Sequence, residues 1–185
     1  MGVESIYFGT LFRIMSTNDV KMLFIVFAVF LNCGIPPRPT CEEISEITYK
    51  IDIQRLTPDD QGSVIEAWNI LSRDLHTKYS VVHSCDGMNP CTRYEYTPEC
   101  SNCEIVATYL GYATQVRKNA FLNKNMAIAV FTHEAIHMLR DDEWSGRQNV
   151  HDDNTEGLMS RNYHGGGQPF IGLTEHDVKF VCGTL

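Results

Sequence analysis

The sequence predicts an α+β domain with helices and strands in α/β-type layers. Three observations lead there. Residues 47–53 alternate apolar and polar side chains, the period of a half-buried strand. Val64, Trp68, Leu71 and Leu75 recur at helical spacing directly after it. Strand-like and helix-like segments then keep alternating, without internal repeats or low-complexity tracts. A chain of 185 residues is long enough for one domain with a sizeable core.

The elements follow in order. The apolar run 22–31, preceded by Lys21, has half the length of a membrane-spanning helix and fits the apolar region of a signal peptide. Residues 1–34 are therefore expected to be an N-terminal extension and leader, with 35–185 as the single folded domain. Pro36, Pro37 and Pro39 suit a short extended linker. Thr57 caps the first long helix, Pro58 takes its first position, and Asp59 and Asp60 sit at the positive end of its dipole. Residues 79–83 make a second strand. Residues 85–103, rich in Cys, Pro, Asn and Gly, read as an irregular stapled loop. Strand character returns over 104–112, and 119–123 forms a short further strand. Asn125 caps a helix starting at Met126. A closing helix spans 173–181, with Thr174 as cap and Asp177 reaching back to it.

Composition excludes some functions. The net charge is −8, which opposes nucleic acid and anionic membranes as partners. No stable membrane anchor is expected. With Cys33 lost in the leader, six of the seven cysteines remain, an even set that reads as disulfides in an exported protein. Cys41–Cys182 would join the two ends, and Cys85, Cys91, Cys100 and Cys103 would pair among themselves. The rival reading of those four is a structural zinc site, since Cys100 and Cys103 form a CxxC knuckle. No Asn-x-Ser/Thr sequon occurs.

The chemistry is concentrated in His133-Glu134-Ala135-Ile136-His137. On a helix, positions four apart lie one above the other, about 5–6 Å apart, so two imidazoles can share one metal ion. Glu134 then stands where it can take a proton from water. The bland alternative is a core His133 and a surface His137. The apolar residues ahead of the motif weigh against it, because two histidines and a glutamate on such a helix need partners. A catalytic zinc takes three protein ligands and keeps a fourth position open. Candidates for the third are Asp141, Asp142, Glu143, His151, Asp152 and Asp153.

His151 leads this set because of the sequence after it. Leu158-Met159 lies in its wake, with the methionine eight residues beyond the histidine. Here the chain resembles the metzincin metallopeptidases, matrixin-like catalytic domains above all. In that family a third histidine is followed at this distance by a methionine turn beneath the metal. The resemblance spans roughly 44–182 but is motif-specific only over 133–137 and 151–160. It implies a twisted, mostly parallel sheet, an edge strand within 104–114 above the cleft, a Met-turn at Met159 and a C-terminal helix. It also implies zinc held by His133, His137 and His151. The family pattern has a glycine and a third histidine where this chain has Arg140 and Glu143. The helix is therefore expected to overrun to Trp144 and stop near Gly146, with Glu143 as the rival third ligand. His164 and Gly165–Gly167 fall where the family walls its specificity pocket, whereas Tyr163, four residues after Met159, does not match the family tyrosine two residues after its methionine and is given no role. Cys33-Gly34-Ile35-Pro36 looks like a propeptide switch segment, but it abuts the leader.

The function these readings imply is a secreted zinc-dependent endopeptidase acting on a peptide or protein substrate, with Glu134 as general base. Two alternatives stand beside it. One is a metal-binding or interaction protein on the same scaffold without turnover. The other is a disulfide-stapled secreted domain in which the motif is accidental.

Overall fold

A computed structural model of the chain describes residues 39–97, 107–118, 120–140, 151, 157–160 and 170–183. The described residues belong to one compact unit, Pro37–Leu185. Four helices and five strands are found among them. In chain order they are α1 (Cys41–Glu46), β1 (Thr48–Asp52), α2 (Pro58–Leu75), β2 (Lys78–Val82), β3 (Cys91–Thr97), β4 (Ala107–Tyr109), β5 (Ala113–Arg117), α3 (Lys124–Arg140) and α4 (Glu175–Val181).

The strands form one sheet in the order β2-β1-β3-β5-β4. β2, β1, β3 and β5 run parallel, and β4 pairs antiparallel with β5 at the edge. The fold class is thus mixed α and β with a mostly parallel sheet, as expected. Parallel neighbours need a crossover between them, and α2 supplies the one from β1 to β2.

Local signals explain where each helix begins. Thr57 Oγ1 accepts from Asp60 N–H at 3.4 Å, and Pro58 opens α2. The helix ends on His76 in the left-handed region at φ +56°. Thr40 and Glu43 make a full capping box ahead of α1, which the sequence reading did not anticipate. The cap of α3 is Asn123, whose Oδ1 accepts from Met126 N–H at 2.9 Å. The helix therefore begins at Lys124, two residues before the expected start.

Two helices share one face of the sheet. Tyr94, fully buried on β3, accepts a hydrogen bond from Trp68 Nε1 of α2 at 3.0 Å. The same ring meets Phe131 of α3 edge-on at 5.7 Å between centroids. Trp68 also packs against Tyr49 of β1 and Tyr79 of β2. Two residues along β3, Tyr96 donates to Asp60 at the start of α2. The core is thus a single apolar layer between the sheet and α2 plus α3. The polar atoms of Trp68 and Tyr94 bond to each other within it, as burial requires.

Two expectations fail here. The stapled loop 85–103 contains β3, a central strand. Cys91, Thr92 and Tyr94 are its buried positions, and Cys, Pro, Asn and Gly around them disguised a run of good strand formers. The short strand placed at 119–123 is not found at its described positions. The strand of that region is β5, Ala113–Arg117, reached from β4 by a turn in which Gly111 adopts φ +80°.

Disulfides join Cys41 to Cys182 and Cys85 to Cys91. The first is the expected link between the ends of the domain. The second uses two of the four cysteines expected to pair among themselves, so all four cannot hold one structural zinc. Cys100 and Cys103 lie outside the described residues, as do the leader, the helix extension toward Trp144, Glu143, Tyr163, His164 and Gly165–Gly167. Among the described residues, no helix is long and apolar enough to cross a membrane.

Candidate metal centre

The second half of α3 carries the motif. From Ala127 to Arg140 nearly every side chain is buried, because one face meets the sheet and another meets α2 and α4. Glu134 and His137 are buried with the apolar residues, and His133 is half-buried. Glu134 lies near enough to Tyr94 for its charge to act on the phenol. Burial pushes that phenol well up, the Trp68 hydrogen bond opposes the shift, and the Glu134 charge adds to it.

His151, remote from α3 in sequence, arrives at the same place. Its Nε2 lies 3.1 Å from Nε2 of His133, and Nε2 of His137 lies 3.2 Å from the same atom. One ligand nitrogen from each of the three lies within 4.8 Å of the others. The rings are packed at centroid distances of 4.9, 5.1 and 5.0 Å. Of the expected ligands, His133, His137 and His151 are therefore brought together. Asp141, Asp142, Glu143, Asp152 and Asp153 lie outside the described residues.

The donor set can be tested against a metal by its own chemistry. His133 Nδ1 lies 2.9 Å from the carbonyl oxygen of Leu158. A carbonyl only accepts, so Nδ1 carries the proton and Nε2 presents a lone pair. One in-plane lone pair cannot serve two neighbouring imidazoles well. A cation common to the three nitrogens resolves the crowding. Tetrahedral zinc with bonds of 2.0–2.1 Å would set its ligand nitrogens about 3.3 Å apart, close to the spacings seen. The residues present fit a metal ion.

A second layer orients His133. Leu158 belongs to the turn Gly157–Ser160, closed by Ser160 N–H donating to Gly157 O at 3.1 Å. Leu158 N–H donates to Asp177 Oδ1 of α4 at 2.7 Å. Asp177 Oδ2 accepts from Thr174 N–H at 2.9 Å and from Thr174 Oγ1 at 2.7 Å. The capping box of α4 thereby holds the turn, and the turn holds the histidine. Sequence reasoning saw Asp177 only as a cap, and its contact with Leu158 has no local signal. Met159 is 1% exposed, within the main core.

Electrostatics keep His133 neutral. Burial pushes its imidazole down to about 3, the nearby His137 adds to this, and the Leu158 hydrogen bond opposes it. A neutral imidazole is the form that binds metal. Arg140, where the metzincin pattern has glycine, is fully buried and stacks on the Phe180 ring of α4 at 4.0 Å. No family model matches the chain, and no curated protein matches it.

Proposed function

We propose that this protein is a secreted zinc-dependent endopeptidase of metzincin type. The observation that carries the reading is the convergence of His133, His137 and His151 beside the buried Glu134. Three further features support it. An edge strand runs antiparallel to its neighbour. A tight turn brings the Leu158 carbonyl oxygen to His133 and buries the neighbouring Met159 in the core. The disulfides suit an oxidising compartment.

When bound, zinc would supply a Lewis acid and a water acidified toward a pKa of about 7. His133, His137 and His151 would hold it through Nε2. Glu134 takes the proton as the water oxygen attacks the scissile carbonyl carbon. It returns that proton to the amine nitrogen as the C–N bond breaks. The substrate lies extended along β4 and adds to the sheet edge through main-chain hydrogen bonds. Met159 provides an apolar floor for the site.

Elemental analysis and a quenched-peptide library test this together. Glu134→Gln should retain zinc and lose about 10²- to 10⁴-fold in cleavage rate. Cleavage at the wild-type rate would remove Glu134 as the base. His151→Ala should lose zinc, whereas Glu143→Ala should keep it. The reverse pattern would move the third ligand to Glu143.

A further inference from the structure

A cavity of about 570 Å³ opens beside the motif helix. Met88, Pro90 and Cys91 form one side, Tyr109 and Tyr112 another, and Met138 the helix side. Met138 directly follows His137 and stands four residues beyond Glu134, about 6 Å along the same face of α3. Tyr109 is the last residue of β4, so the cavity continues the line of the edge strand.

Its lining sets the chemistry of an occupant. Met138, Cys91 and Tyr109 are buried, whereas Tyr112 and Met88 are 62% and 40% exposed at the rim. Two large apolar side chains left in water at one mouth mark a surface prepared for burial. Tyr109 donates its hydroxyl proton to Gly111 O at 2.8 Å, leaving its ring as the contact surface. No charged side chain lines the cavity among the described residues, and Asn89 is the polar amide there. Sulfur and aromatic faces of this kind suit an aromatic or long aliphatic group. The Cys85–Cys91 disulfide closes the short loop that carries Met88 and Pro90, so this wall is held in place.

We propose that this cavity is a specificity subsite for an aromatic or long apolar side chain of a peptide lying along β4. The proposal rests on the endopeptidase reading for the source of the occupant. The proposed class is thus peptides with Phe, Tyr, Leu or Met at one position near the scissile bond.

Two measurements test the subsite and keep its failure apart from failure of the protease reading. In the first, zinc-loaded wild type is given quenched peptides that differ only by Phe or Ala at each position in turn. One position should favour Phe by about tenfold in kcat/KM. Tyr112→Ala and Met138→Ala should bring that ratio toward one, with zinc content confirming that the variants are folded. A preference that survives both substitutions overturns the proposal. The second measurement needs no turnover. N-acetyl-phenylalaninamide should shift the methyl resonances of Met88 and Met138, and N-acetyl-alaninamide should not. Unmoved resonances overturn the subsite whether or not peptides are cleaved. Shifted resonances without any cleavage keep the subsite and overturn the protease.

Discussion

His133 uses its two nitrogens differently: Nδ1–H is committed to Leu158 O, which leaves the Nε2 lone pair able to take a metal ion. The cost of this placement appears in acid. The folded-state pKa of about 3 lies below the ordinary 6.5. Between those values the unfolded chain binds the proton and the folded chain does not, so stability rises with pH across the window. Chelator-treated protein should therefore lose stability as pH falls below about 6.5, with the His133 contribution fully lost near 3. Urea unfolding at several pH values measures the slope. It should be shallower in His133→Gln, and an equal slope there would assign the acid sensitivity to other groups. His133, Glu134 and His137 were readable because helical spacing alone places them together. The Leu158 carbonyl was not, because a backbone atom 25 positions away leaves no mark in composition.

At the scale of elements, α4 is short but anchors the site. Asp177 accepts from Leu158 N–H and from Thr174, and it is 2% exposed. Asp177→Ala would strip buried donors of their acceptor, a loss of about 1–3 kcal/mol. Because Leu158 positions His133, the same variant should weaken metal affinity about tenfold or more. Thr174→Ala removes only the cap hydroxyl and should cost about 1 kcal/mol with a smaller effect on metal. Paired unfolding and metal-titration curves separate the two effects. Equal metal affinity in both variants would show that the turn does not depend on α4. The closing helix was legible through Thr174 and Asp177, which are local cap signals. The strand β3 was not, because Cys91 to Thr97 follows a loop-like segment and its partners β1 and β5 are remote in sequence. Expecting a loop there hid Tyr94, the residue on which both long helices meet.

Across the whole molecule, the Cys41–Cys182 disulfide closes a sequence separation of 141 residues, tying α1 to the end of α4. Long closed loops restrict the unfolded chain most. Replacing both cysteines with alanine should cost about 2–5 kcal/mol, measured by chemical unfolding under non-reducing conditions. Since Cys182 directly follows α4, metal binding should weaken in step with stability. Unchanged stability would mean that packing of α4 alone holds the ends.

What the sequence determined by itself was local or periodic. It specified the layered α+β class, the caps at Thr57 and Thr174, and the spacing of His133, Glu134 and His137. These depend on side chains a few positions apart, where helix and strand geometry set the distances. His151 was found through its offset from Met159 in a resemblance, not through spacing from His137. Only the tertiary structure decided that its Nε2 meets His133 Nε2, that β3 is the central strand, and that Asp177 supports Leu158. Each of these joins atoms from distant parts of the chain. Such contacts exist because burial of the shared core brings the segments together, and the lone pairs and amides enclosed there must find partners.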